Sequence, residues 1–166
     1  IKSDFAEAHY SLGNALKGSG EIDEAVESFH KAIILKPDYA EAHYNLGNVL
    51  RDIAKLDEAV ESFRKVINIK PDYAEAYFNL GGVLQDLGQL DEAVVSYNKA
   101  ISIKPDYTEA HSNLGCTFQD LGHLNYAVVS YKEALDINPN QSEACINLGL
   151  VFQSLGQFDE AIENFH

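Results

Sequence analysis

KPDYAEAHYNLGNVLRDIAKLDEAVESFRKVINIKPDY, residues 36–73, decides the fold. It opens on Lys36-Pro37-Asp38-Tyr39 and closes on the same four residues, Lys70-Pro71-Asp72-Tyr73. Between them lie two stretches with the period of an amphipathic helix. Ala42, His43, Leu46, Gly47, Val49, Leu50 and Ile53 recur at three- and four-residue steps, and so do Leu56, Ala59, Val60, Phe63, Val66, Ile67 and Ile69. One period therefore holds two helices and a break.

The pattern extends in both directions. Pro37, Pro71, Pro105 and Pro139 are each 34 residues apart, and Ser3 stands where a fifth Pro would fall. The repeats run 6–39, 40–73, 74–107 and 108–141, with an incomplete fifth at 142–166. Residues 1–5 read as the remnant of an upstream repeat, so the whole of 1–166 is expected to be one array. Gly20, Gly88, Gly122 and Gly156 end the first helix of their repeats, where a left-handed residue is wanted. Ala54 replaces that Gly in the second repeat, which predicts a tighter or strained turn. Pro ends the second helix, lacking the N–H that would continue it. Lys36, Lys70 and Lys104 fall near that carboxyl end, where the helix dipole favours a cation.

The acids are recurrent too. Seventeen of the 26 Asp and Glu residues occupy four repeat positions. Asp4, Asp38, Asp72 and Asp106, with Glu7, Glu41, Glu75, Glu109 and Glu143, are expected to open first helices as caps and dipole partners. Asp23, Asp57, Asp91 and Asp159, each followed by Glu, are expected to do the same for second helices.

His43-x2-Leu46-Gly47-x2-Leu50, then Ala59-x3-Phe63 and Pro71, resembles the tetratricopeptide repeat pattern W-x2-L-G-x2-Y, A-x3-F and P. The departures keep bulk at packing positions: His, Tyr or Cys replaces Trp, and Leu or Phe replaces the later Tyr. The resemblance implies an all-α fold, a right-handed α-solenoid of antiparallel helix pairs with first helices on the concave side. Such units stack because no single pair buries its own apolar face. Gly13, Gly47, Gly81, Gly115 and Gly149 are expected to let paired helices approach closely.

Composition excludes several functions. A net charge of −14 opposes nucleic-acid binding, which needs clustered Lys and Arg. No apolar run is long enough to span a membrane. Cys116 and Cys145 form no CxxC pair, which points to a reducing, cytoplasmic compartment. Cys145 falls on the packing face, whereas Cys116 falls on the opposite face and is expected to be exposed. His9, His43 and His111 recur at one packing position on separate repeats, so they do not form a metal site. No Gly-rich phosphate loop or nucleophile–base pair appears, so neither a cofactor nor an enzyme is implied.

At 100° per residue, repeat positions 3, 4, 7, 8, 10, 11 and 14 of the first helix share the packed face. Positions 2, 5, 6, 9, 12 and 13 point away and are free to report function. Position 6 reads Ser11, Asn45, Asn79, Asn113 and Asn147. Asn is a mediocre helix former, so its recurrence needs a reason. Its amide offers a donor and an acceptor, matching the N–H and C=O of an extended peptide residue. Hydrogen bonds between neighbouring helices, or descent from duplicated repeats, would explain it equally. Tyr10, Tyr44 and Phe78 at position 5, Asn14 and Asn48 at position 9, and Asp52, Asp86 and Asp120 at position 13 surround it. The ladder is similar to the asparagine-lined repeat arm of the O-linked N-acetylglucosamine transferases, which grips substrate backbones. That carry-over falls on Asn45, Asn79, Asn113 and Asn147.

The expected function is a protein–protein interaction module that binds an extended, polar or basic peptide. A self-associating scaffold and the substrate-recruiting arm of a larger enzyme are the alternatives. Tetratricopeptide proteins that bind chaperone carboxylate tails use Lys and Arg at positions 2, 5 and 6. This chain has no cation at those positions, so carboxylate-tail recognition is expected to fail.

Overall fold

The computed structural model describes the backbone of residues 2–164 and the side chains of 5–164. Ile1, Phe165 and His166 lie outside the described residues. The described residues form ten α-helices and no strand: α1 Lys2–Ser19, α2 Ile22–Leu35, α3 Ala40–Asp52, α4 Leu56–Ile69, α5 Ala74–Asp86, α6 Leu90–Ile103, α7 Thr108–Asp120, α8 Leu124–Ile137, α9 Ser142–Ser154 and α10 Phe158–Asn164. Residues 1–83 and 84–166 are two compact units. In the first, α1 packs on α2, α2 on α3 and α3 on α4; in the second, α6 to α10 pack in sequence. Short turns between packed neighbours make the pairs antiparallel.

The turn inside each repeat is closed by backbone bonds. Lys55 N–H donates to Leu50 O at 2.8 Å and Ala54 N–H to Arg51 O at 2.9 Å, a Schellman pair that satisfies the last carbonyls of α3. The residue at its centre must be left-handed. Gly122 has φ 75°, and Ala54, without a glycine's freedom, has φ 58°. The strained turn expected from sequence is present.

The acidic residues do only half of what the sequence suggested. The N-cap residues of α2, α4, α6 and α8 are Glu21, Lys55, Gln89 and His123, and none makes a side-chain cap bond. Asp23, Asp57 and Asp91 lie two residues further in, inside the first turn, as partners for the dipole. Asp38 and Asp106 do not cap either, since Tyr39 and Tyr107 hold the N-cap positions of α3 and α7. Backbone bonds close that turn instead, with Tyr39 N–H donating to Lys36 O at 3.1 Å, which leaves Asp38 exposed at the corner. Asp4 lies outside the described side chains. At the amino end α1 runs from Lys2, ahead of the expected start at Ala6. Ser3 replaces the Pro of other repeats there, so no ring interrupts the helix.

The core of each unit sits between first and second helices. Phe29, Phe63, Tyr97 and Tyr131, one each in α2, α4, α6 and α8, are fully buried. The expected glycine contact lies against these rings. A Cβ on Gly47 would stand 2.9 Å from the Phe63 ring, closer than packed carbons tolerate. In the second repeat the seven positions assigned to the packed face hold six buried residues of α3 and the half-buried Ile53 at its C-cap. Burial of each aromatic ring contributes roughly 1.5–3 kcal/mol.

Candidate functional site

In the first unit, the asparagines expected to face a ligand are tied to the preceding repeat. Asn45 Nδ2 donates to Asn14 Oδ1 at 2.7 Å and to Tyr10 Oη at 3.2 Å. Asn79 Nδ2 repeats this one unit on, donating to Asn48 Oδ1 and Tyr44 Oη, both at 2.9 Å. An amide nitrogen has two hydrogens, and here both are spent. The donor–acceptor pairing imagined for an extended peptide is therefore unavailable. What stays open is Oδ1, which accepts no bond among the described residues. Position 6 thus serves first to register one helix against the next, with its carbonyl held in a fixed direction.

The tyrosines are braced in turn. Tyr10 packs on Tyr39 with ring centroids 5.0 Å apart, and Tyr44 on Tyr73 at 5.1 Å. Lys36 Nζ sits 4.6 Å above the Tyr39 ring, a cation–π contact. Burial, then the neighbouring Tyr10, pushes the Tyr39 hydroxyl up; burial, then Tyr44, does so for Tyr73. Lys70 donates to Glu41, and that hydrogen bond holds the Glu41 carboxyl below its ordinary value.

The second unit solves the same problem with other atoms. Position 5 there is Ser112 in α7 and Ile146 in α9, so no first-helix tyrosine is available. Asn113 Nδ2 instead reaches Tyr97 Oη at 3.4 Å, and Tyr97 Oη donates to Gln85 Oε1 at 3.2 Å. Asn147 Nδ2 meets Cys116 Sγ at 3.6 Å, and Tyr131 Oη approaches the same sulfur at 3.2 Å and Gln119 Oε1 at 3.1 Å. The phenol has moved from the first helix to the second. This exchange was readable: Phe29 and Phe63 become Tyr97 and Tyr131 where Tyr10 and Tyr44 give way to Phe78 and Ser112.

Cys116 is accordingly half-buried, not exposed as its helical position suggested. Burial is the main cause that raises its thiol pKa. Cys145, expected in the core, is also half-buried, with Sγ donating to Asn164 O at 2.8 Å. His43 and His111 are structural. His43 Nε2 bonds Pro37 O and His111 Nε2 bonds Pro105 O, both at 2.9 Å, so that nitrogen carries the proton. These bonds hold the inter-repeat turn to the following helix, a role the residue pattern alone did not disclose. No cluster of three or more His, Cys, Asp or Glu suited to a metal exists among the described residues. No described helix is long and apolar enough to cross a membrane.

Asp52, Asp86 and Asp120 are exposed and end α3, α5 and α7. Each adds negative charge where the helix dipole is already negative, against the favourable sense. Asp120 Oδ2 accepts from Gln85 Nε2 at 3.1 Å.

Comparison with known proteins agrees with this architecture. A family model described as TPR repeat matches residues 17–53, 47–88 and 83–122. Models described as Tetratricopeptide repeat match 108–141 and 130–163. No curated protein matches the sequence. Among solved structures, a crystal structure of MamA is 27% identical, with TM-score 0.90, covering 93% of this chain and 90% of that one. A second MamA structure is 25% identical, with TM-score 0.93, covering 98% and 88%. YrrB, titled a TPR protein with an unusual peptide-binding site, shares the fold at 24% identity and TM-score 0.81, covering 94% and 80%. The chain belongs to the tetratricopeptide repeat family.

Proposed function

We propose that the asparagine face of the first helices binds an extended, polar or basic segment of a partner protein. Family membership supports the broader part of this reading, a protein–protein interaction module. The observation that carries the finer part is the fixed carbonyl row. Asn45 and Asn79 have their amide hydrogens committed to the preceding repeat, so each presents Oδ1 as an oriented acceptor. An acceptor row suits peptide N–H groups and the side chains of Lys and Arg. Asp52, Asp86 and Asp120 reinforce the preference, since their unfavourable helix-end placement is offset by a bound cation. Within the second unit Asn113 and Asn147 are held more loosely, each by a single Nδ2 contact, to Tyr97 at 3.4 Å and to Cys116 at 3.6 Å.

Selection of a random 12-residue peptide library on the protein tests this. Peptides rich in Lys and Arg are expected. Asn79→Leu, which removes Oδ1, is expected to weaken a selected peptide at least tenfold, whereas Asn79→Asp, which keeps an acceptor, retains it. Thermal denaturation of both variants checks folding, because either one disturbs the bonds to Tyr44 and Asn48. Enrichment of acidic peptides, or equal binding by Asn79→Leu, refutes the reading.

A further inference from the structure

A groove in the second unit lies between α6, α7 and α8, lined by Ile101, Leu114, Phe118, Tyr126, Val129 and Glu133, with a volume of about 370 Å³. The first unit has its counterpart between α2, α3 and α4, lined by Ile33, Leu46, Glu61 and Lys65, of about 170 Å³. The two match by register: Ile33 with Ile101, Leu46 with Leu114, Glu61 with Val129 and Lys65 with Glu133, each 68 residues apart. The same site is thus edged by a charged pair in one unit and opened onto apolar side chains in the other.

The exchange carries a cost in the isolated chain. Tyr126 is 63% exposed and Val129 57%, while Val95, one repeat earlier at the Val129 position, is 70% exposed. Tyr126 packs beside Phe118 at 5.3 Å and His123 at 6.1 Å, forming an aromatic shelf at the groove mouth. It stands where Glu24, Glu58, Glu92 and Glu160 open the other second helices, and Asn125 stands where they have Asp, so α8 has no acid in its first turn. That helix forfeits the dipole partner the others have, and exposes an aromatic ring in its place.

We propose that this groove is a second interaction surface, distinct from the asparagine face, that takes a basic amphipathic helix of a partner protein. Its apolar face would enter the cavity, and a Lys or Arg on its edge would meet the exposed Glu133. Charge selects this occupant. Residues 84–166 carry 12 Asp and Glu against 3 Lys and no Arg, a net charge of −9. A second copy of the chain would bring like charge to the groove, whereas a basic helix is drawn to it. A furrow among packed helices also matches the shape of a further helix, whose i, i+3, i+4 side chains fill it.

The probe is a fluorescein-labelled 18-residue amphipathic helix of Leu and Lys, with a Leu and Glu peptide of the same pattern as control. Binding is followed by anisotropy on the wild type, on Tyr126→Glu/Val129→Glu and on Glu133→Gln. The double variant installs the residues of the second repeat, and circular dichroism checks that it folds. It also adds negative charge, so attraction by charge alone would strengthen its grip on the Lys peptide. The expected result is at least a tenfold loss in the double variant, a few-fold loss with a shallower salt dependence in Glu133→Gln, and no binding of the Glu peptide. Equal or tighter binding by the double variant overturns the proposal. So does sedimentation in which the wild type dimerises and the double variant does not, which would put a second copy in the groove.

Discussion

Ala54 offers the sharpest test of backbone strain in this fold. It is the one non-Gly residue with positive φ among the described residues, at 58°, in a turn that four other repeats build on Gly. Its side chain is exposed, so its removal sacrifices little packing. A left-handed L-residue costs roughly 1–2 kcal/mol. Glycine relieves that strain but returns about 0.4–1 kcal/mol through greater freedom of the unfolded chain. Ala54→Gly is therefore expected to stabilise by about 0.5–1 kcal/mol. The reverse change, Gly122→Ala, starts at φ 75° with no atom within 4 Å of the new Cβ, so it measures the same effect with opposite sign. The two variants are expected to differ by about 1–2 kcal/mol, which for a chain of this size corresponds to melting temperatures separated by roughly 2–8 °C. Urea denaturation followed by circular dichroism reads the difference, provided the slope is unchanged. Hydrogen exchange at Lys55, whose amide closes the turn on Leu50, localises it. A neutral or destabilising Ala54→Gly with an unchanged slope refutes the claim that this turn stores strain.

Other outcomes follow from packing and charge. Gly47→Ala places a methyl 2.9 Å from the Phe63 ring edge and is expected to cost about 1–3 kcal/mol, with partial rescue by Phe63→Leu, both read by chemical denaturation. The raised Cys116 pKa predicts slow reaction with a disulfide reagent at about pH 8 until urea exposes the thiol. Because the unfolded thiol ionises first, its contribution to stability falls as pH rises past its ordinary value of 9.0. The Glu41 pKa is lowered by Lys70, so its contribution is complete above the ordinary value of 4.5 and is lost as pH falls through the folded value. Both side chains are almost half exposed, so a double-mutant cycle with Glu41→Gln and Lys70→Met is expected to give less than about 1 kcal/mol.

The helices and their order are legible in the residues alone. A period of 34, with apolar residues at helical steps and Pro at each end, leaves little freedom, because every repeat restates the same local rules. The left-handed turns and the close approach at Gly47 are legible too, since both ask for a residue without a Cβ at a fixed place in the repeat. Caps are less so. Asp and Glu near a helix start look alike in sequence, and only the backbone shows that Tyr39 occupies the N-cap of α3 while Asp23 sits inside α2.

What the asparagines do first depends on how the repeats stack. Helical periodicity places position 6 on the face opposite its own repeat's core, but it cannot say that the preceding repeat lies beside that face. Once the helices are stacked, Asn79 Nδ2 lies 2.9 Å from Tyr44 and from Asn48, and its hydrogens are used. A repeat pattern records which residues recur, whereas a hydrogen bond depends on which recurrences meet. The same limit hid which groups the Tyr97 and Tyr131 hydroxyls meet, although the exchange of Phe for Tyr at these positions is visible in the sequence. It also hid the groove at Val129, where three helices must be packed before an apolar substitution becomes a cavity.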